Sequence, residues 1–439
     1  MPDSSPPQQS RSPILVSPQQ LWRRVRTSMP WLVLIAFGLR LGAIVFLHTY
    51  RFRTQDANFS FGWEMGRIAE AIASGRGFSD PFEGHTGPTA WEPPLYPCLI
   101  AGVFRLFGVY SQASAFVMLT FSSLCSALTC IPLFRMAKRC FGETVAVGSV
   151  WAWALLPSVM FWSTKVVWET SLSTLLLTTL FLLTLEMEEK DGLWPWIGFG
   201  LLWGVAALNS TVLLSFLPPS GLWAWYTRSR RGKRSLSGVL VASVLFVACV
   251  TPWMARNQRT FGRFVLRDNF GAELRLGNGP GADGTWMYNL HPTQSVFAMR
   301  QYREMGEIPY IDMRKQQAVD FIRQDRARFL WLCVKRFIYY WSSAPRVEKS
   351  WWVETGKRSL YLMSSILMFW GLGRALRRRK PGAWLFFWLI LLYPAVYYVV
   401  FTHPRYRHPI EPEIVILSVF LITEAKVRGR TIGQHLLPN

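Results

Sequence analysis

Charge is scarce in this chain: Asp, Glu, Lys and Arg make up only 17% of its 439 residues, while 51% are hydrophobic, with 22 Trp and 30 Phe among them. That balance excludes an ordinary soluble enzyme and describes a polytopic membrane protein. Acidic residues are the scarcer sign, 26 against 48 basic, for a formal net charge of +22. In a soluble protein such an excess would suggest a nucleic-acid partner. Here the basic residues punctuate apolar runs and build no continuous basic face, which argues against nucleic acid. The six cysteines (98, 125, 130, 140, 249 and 333) lack metal-ligand spacing, and most lie in or beside apolar runs, where packing is their expected role. No internal repeat is visible, and no small-residue cleavage site follows the first apolar run. Residues 1–29, rich in Pro, Ser and Gln and ending in basic residues, therefore read as a disordered cytoplasmic tail ahead of an uncleaved anchor.

What is present is a series of apolar segments near the 20 residues needed to cross a hydrocarbon layer about 30 Å thick. They are 30–47, 113–134, 145–163, 170–185, 195–208, 211–226, 236–254, 358–373, 383–401 and 410–424. Basic clusters lie between alternate ones: Arg23, Arg24 and Arg26; Arg135, Lys138 and Arg139; Arg228, Arg230, Arg231, Lys233 and Arg234; Arg374, Arg377 to Arg379 and Lys380; Lys426, Arg428 and Arg430. Positive-inside bias makes these cytoplasmic. A further apolar stretch, 95–109, carries Arg105; if it spanned, every later basic loop would move outside, so it reads as a juxtamembrane or re-entrant helix. The expected organisation is an N-terminal transmembrane module over 30–254 with a first outer loop at 48–112, an outer-face soluble segment at 255–357, transmembrane helices over 358–424 and a cytoplasmic tail at 425–439. The turns 164–169 and 402–409 also face outward. In 255–357, the Gly-rich run 277–284 follows no βαβ pattern and reads as a turn; a helix is expected around 312–330.

The unusual polar residues fall on that outer side. In 63–73, Met65, Ile68, Ala69 and Ile72 recur at i, i+3, i+4 and i+7, the pattern of an amphipathic helix lying on the membrane with its apolar face down. Glu64 opens this helix, where the dipole favours the ionised carboxylate a general base requires; Asp56 is the other acid of the loop's first half. Either could equally be a cap or a solvated acid. The turn 164–169 holds Lys165, Trp168 and Glu169; Glu169 either works at the mouth of a span or caps the helix beginning at 170. The turn 402–409 (THPRYRHP) carries Arg405 and Arg407, guanidiniums suited to a lipid-linked phosphate or to headgroup anchoring, beside Tyr406. His403 and His408 lack further spaced ligands, so no metal site is assigned. Arg40, in the first span, is expected to face protein and pair with an acid.

Taken together, FGWEMGRIAEAIASGRGF (61–78), TGPTAWEPPLYPCLIAGVFRLFG (86–108), STKVVWETSLS (163–173), TPWMARN (251–257) and HPRYRHPIEP (403–412) resemble the GT-C membrane glycosyltransferases of family 39, the protein O-mannosyltransferases and lipid A aminoarabinose transferases. The resemblance implies an all-α GT-C-like bundle of about ten transmembrane helices and transfer from a polyprenyl-phosphate sugar to a lipid, glycan or protein acceptor on the outer face of the plasma membrane, usually with inversion. Its implied catalytic acids are Glu64, or Asp56, with Glu169 in support; Arg405, Arg407, Tyr406, Trp168, Lys165 and Tyr96 become candidate substrate-binding residues. Where that family often has Lys before Pro-Pro, this chain has Glu92. No cofactor is assigned, and the reading leaves room for a divalent metal. The rival reading is a transporter or flippase of lipid-linked sugar.

Overall fold

A computed structural model describes residues 28–52, 57–233, 235–345 and 350–435. The sequence-derived tail to residue 27, Asp56, Arg23, Arg24, Arg26 and Arg234 lie outside the described residues. The chain is all-α: no strand forms among the described residues, only an isolated antiparallel bridge between Ser79 and Pro88.

The first span is α1 (Met29–Phe46). The first loop, expected to face outward, carries α2 (Glu64–Ala73) and α3 (Leu95–Phe107). Next come α4 (Gln112–Leu128) with α5 (Cys130–Phe141), then α6 (Glu143–Leu155) with α7 (Pro157–Thr164), α8 (Thr170–Glu186), α9 (Trp194–Asn209), α10 (Leu217–Arg230) and α11 (Leu236–Phe261). The segment 255–357, expected to be soluble, contains α12 (Phe270–Gly277), α13 (Val296–Met305), α14 (Glu307–Gln324) and α15 (Arg326–Ser342). The chain then returns through α16 (Trp351–Arg377), α17 (Ala383–Leu392), α18 (Ala395–Val399), a 3-10 turn Pro404–Ile410, and α19 (Glu411–His435).

Four of the ten expected spans are long and apolar enough to cross a membrane unaided: α1, α4 continued through α5, α11 and α16. A fifth is the α6–α7 pair, bent by 53°. Of the rest, 410–424 falls in the 25-residue α19, and the others coincide with shorter helices, among them α8 with 17 residues and α9 with 16, about 25 Å long. The 13-residue α3 spans only about 20 Å, too short to cross, as the sequence reading requires. Arg105 explains itself there: its guanidinium donates to the Ile72 carbonyl at 2.9 Å and closes the end of α2.

Two devices hold the bundle. Gly200 and Gly204 on α9 lie against α11: a Cβ at Gly200 would sit 2.4 Å from the Ala242 carbonyl, and one at Gly204 would sit 2.5 Å from the Cys249 Cβ. This small-xxx-small approach supplies packing where lipid removes any hydrophobic drive between helices. The second is Arg40, fully buried, which among the described residues pairs with no acid, contrary to the sequence expectation. Pro157 has no N–H to receive the Trp153 carbonyl, so the α6–α7 break frees backbone acceptors. Arg40 donates to Trp153 O at 3.2 Å, Ala154 O at 3.3 Å and Ser126 Oγ at 3.1 Å, and the broken helix is satisfied inside the membrane.

The apolar face of α2 also differs from expectation. Met65 and Ala69 are buried with Ile100, Phe104 and Met118 in one core cluster, so the face packs on α3 and α4 and does not rest on lipid.

Candidate functional site

The loops at the Glu64 end of the bundle are knitted together by backbone-directed bonds. Val167 N donates to Ser60 O at 2.7 Å, joining the second outer turn to the first loop. Arg256, of the TPWMARN stretch, donates to Thr89 O at 2.6 Å and Phe78 O at 2.9 Å. Buried Glu307 accepts from Ala90 N at 2.6 Å, Tyr302 Oη at 2.7 Å and Thr89 Oγ1, so the segment 255–357 grips the loop just before Trp91. On the far side, buried Arg336 donates to Tyr398 O, Val399 O and Gly277 O, and Gly277 lies so close to Val400 O that a Cβ there would be 1.6 Å from it. The Gly-rich run is thus the turn that lets α12 meet the chain just before the last outer turn.

This scaffold brings four carboxylates and two guanidiniums into mutual electrostatic reach: Glu64 and Glu92 from the first loop, Glu169 from the second turn, Glu273 and Arg267 from the soluble segment, and Arg405 from the last turn. Glu64 opens α2 behind Trp63, whose φ of 47° is a left-handed value that a bulky residue rarely adopts. Strain of this kind persists only where the surroundings impose it. The Glu64 carboxylate is 6% exposed; Oε1 accepts from Thr293 Oγ1 at 3.2 Å and lies 3.5 Å from His291 Nε2. The dipole argument held that Glu64 favours its ionised form. Burial outweighs it: desolvation first, then Glu273, push the acid up to about 7 against the pull of its own backbone N–H, Arg405 and Thr293. His291 is driven down to about 3 by burial and Arg405, so it is neutral and makes no ion pair with Glu64.

Arg405 is half-buried, with its guanidinium 3.8 Å from the Trp168 ring centre and 3.3 Å from Tyr406 Oη. Among the described residues it makes no ion pair, and its Nε is without a hydrogen-bond partner. Arg267 donates to Trp91 O at 2.9 Å and to Glu92 Oε1 at 2.8 Å. Burial pushes Glu92 up and Arg267 pulls it back. Glu92 Oε2 and Glu169 Oε2 are buried without partners. Glu169 stands just before α8, but its side chain makes no cap bond. The capping reading of Glu169 therefore lacks its hydrogen bond.

The remaining sequence candidates separate. Trp168 and Tyr406 are the platform and neighbour of Arg405, and buried Tyr96 faces Glu169 electrostatically. Lys165 is exposed at the end of α7 and takes no part in these contacts. Arg407, read as a phosphate ligand, is 1% exposed and saturated: it pairs with Glu411 at 3.0 Å and donates to Ser365 Oγ at 2.9 Å, Tyr361 O at 3.1 Å and Ser364 Oγ at 2.6 Å. Two residues apart, the arginines diverge because one follows the turn outward while the other enters the helix interface. His403 Nδ1 accepts from Arg405 N at 3.3 Å, and His408 stacks on Trp153. Sequence reasoning missed Arg267, Glu273, His291 and Thr293; their segment has no periodicity that marks them, and only the convergence of the outer loops pointed there.

The fold and the cluster together define the class, an all-α multi-pass membrane protein of the GT-C fold. The family described as dolichyl-phosphate-mannose-protein mannosyltransferase matches residues 91–255, so the resemblance read from the sequence is found again there. No curated protein matches in sequence. Among solved structures, the apo oligosaccharyltransferase of Archaeoglobus fulgidus is 13% identical with a TM-score of 0.51, over 93% of this chain and 52% of that one. The same archaeal oligosaccharyltransferase, AglB, with an inhibitory peptide and dolichol-phosphate, is 11% identical with a TM-score of 0.49, over 94% and 52%. ArnT from Cupriavidus metallidurans bound to undecaprenyl phosphate is 13% identical with a TM-score of 0.37, over 94% and 82%. The chain spans about half the length of the oligosaccharyltransferase chains, 52% in both.

Proposed function

We propose that this protein is a glycosyltransferase that moves a sugar from a polyprenyl-phosphate donor to a lipid, glycan or protein acceptor at the outer face of the plasma membrane, with inversion. The observation that carries the reading is the pairing of a buried, hydrogen-bonded acid, Glu64, with an arginine that no carboxylate neutralises by contact, Arg405 on Trp168. The family match, named for a dolichyl-phosphate-mannose enzyme, supports a lipid-phosphate donor.

In this mechanism Glu64 takes the proton of the acceptor hydroxyl or amine. The acceptor atom bonds to the anomeric carbon as the bond from that carbon to the phosphate oxygen breaks, and the electron pair leaves with the phosphate. Arg405 receives that charge by charge-assisted hydrogen bonds, in a partly desolvated site where they count for more than in water. Glu169, with a free buried oxygen, orients the acceptor. Asp56 is the alternative base. Arg407 drops out of the donor site because its donors are already occupied. A divalent metal is compatible with the scheme, and no step depends on one.

The test is to place purified protein in proteoliposomes with radiolabelled polyprenyl-phosphate hexoses and pentoses and outer-face cell extract. Label on an acceptor supports transfer. Label that crosses the bilayer still attached to its lipid would replace this reading with the transporter.

A further inference from the structure

Resting on the reading of Glu64 as base, we propose that His291, as a neutral imidazole, is the positioning residue that aims the Glu64 carboxylate at the acceptor, with Thr293 as its partner. The backbone beside the ring sets its tautomer. Thr293 N donates to His291 Nδ1 at 3.2 Å, so Nδ1 is the acceptor and the ring's single proton sits on Nε2. That proton faces Glu64 Oε1 at 3.5 Å. The Thr293 hydroxyl donates to the same oxygen at 3.2 Å. Both side-chain contacts therefore fall on Oε1, and Oε2 is the oxygen outside them.

The ring cannot change state easily. It lies among Trp63, Trp91, Phe82 and Trp286, with centroids 5.7–6.2 Å away, and Glu64 is the acid beside it. The charged groups facing Glu64 from its other neighbours are Glu273 on α12, Glu92 in the first loop and Arg405 in the last turn. A cationic histidine would lock the acid into an ion pair and weaken it as a base. A neutral one fixes its direction and lowers its basicity only modestly, by the pull of a single uncharged N–H.

The arrangement also explains why the base waits on the soluble segment. Glu64 belongs to the first loop, but its side-chain donor Thr293 and the His291 ring 3.5 Å from it both come from 291–293, so the carboxylate is aimed only when that segment is docked through Glu307 and Arg256.

The experiment compares His291→Phe, which keeps ring volume and burial but removes the donor, with His291→Gln, whose amide nitrogen replaces Nε2–H. Thr293→Val is the milder second variant. Two readouts are taken: the protonated-carboxyl infrared band that Glu64→Gln abolishes, followed across pH without substrate, and transfer of whichever labelled sugar the wild type uses. His291→Phe should move the carboxyl titration to higher pH by about one pH unit and lower kcat about tenfold, with KM for the donor unchanged. His291→Gln should restore most of both. Thr293→Val should shift the band in the same direction by less. An unshifted band and normal kcat in His291→Phe overturns the positioning role, and so does failure of His291→Gln to rescue. If Glu64→Gln itself turns over normally, the base assignment fails, an outcome separate from either.

Discussion

The two ends of the bundle treat charge in opposite ways. α8 measures this directly, because its 17 residues, about 25 Å, begin beside Glu169 and finish at Glu186. At the Glu186 end the cations are matched by contact with acids: Arg135 with Glu186 at 2.6 Å, Arg139 with Glu189 at 2.9 Å, Arg231 with Glu188 at 2.7 Å and Lys233 with Asp191 at 2.8 Å, most with one partner in solvent. At the Glu169 end the matching is incomplete: Glu92 meets Arg267 through one oxygen only, half-buried Arg405 makes no ion pair among the described residues, and Glu92 and Glu169 each keep a buried oxygen without a hydrogen-bond partner there. Exposed, satisfied pairs cost little and do little. Buried charges without contact partners are costly, which is why they mark function.

The contrast sharpens within one turn, between Arg407 and Arg405. Arg407→Ala leaves Glu411 buried without its partner, so unfolding free energy should fall by about 3–5 kcal/mol, the largest effect expected here, read as a lowered thermal midpoint in detergent. Arg405→Ala should leave that midpoint near wild type and instead weaken donor use at least tenfold, about 1.5–3 kcal/mol, seen as a raised KM for the lipid donor. Reversed outcomes would exchange the two assignments.

A pH profile probes the unmatched end more gently. Glu64 is raised to about 7, chiefly by burial, and works only as the carboxylate; turnover should therefore fall about tenfold for each pH unit below that value and level off above it. A profile flat from pH 5 to 8 would mean that another group carries the proton. At the matched end, Arg231→Ala should cost under about 1 kcal/mol of stability and leave transfer unchanged. A large loss of transfer there would erase the distinction between the two ends.

Much of this contrast was legible beforehand. The basic clusters between alternate apolar runs marked one end, and by exclusion the outer pieces where Glu64, Glu169 and Arg405 meet. The helix opening at Glu64 and the non-spanning 95–109 stretch followed from periodicity and parity. Other features were hidden because they depend on the fold. Burial overrides a helix dipole at Glu64 only because α3, α12 and the 291–293 strand of chain close over it. Arg40 satisfies carbonyls freed by Pro157, more than a hundred residues away, so no local pattern announces the bond. Arg405 and Arg407 look equivalent in THPRYRHP, and only the packing of α16 against α19 tells them apart. Span length misled in the other direction: several segments read as full crossings are short helices.

The central claim is that the buried acid at the start of α2 is the base of a sugar transfer. Single-turnover transfer of radiolabelled sugar from polyprenyl phosphate, measured side by side for Glu64→Gln and Asp56→Asn, tests it most directly. Glu64→Gln keeps the volume and much of the hydrogen bonding but removes the proton acceptor, so the rate should drop about a hundredfold or more with donor binding intact, while Asp56→Asn stays close to wild type. Near-normal transfer in Glu64→Gln with loss in Asp56→Asn would contradict the claim and move the base to Asp56.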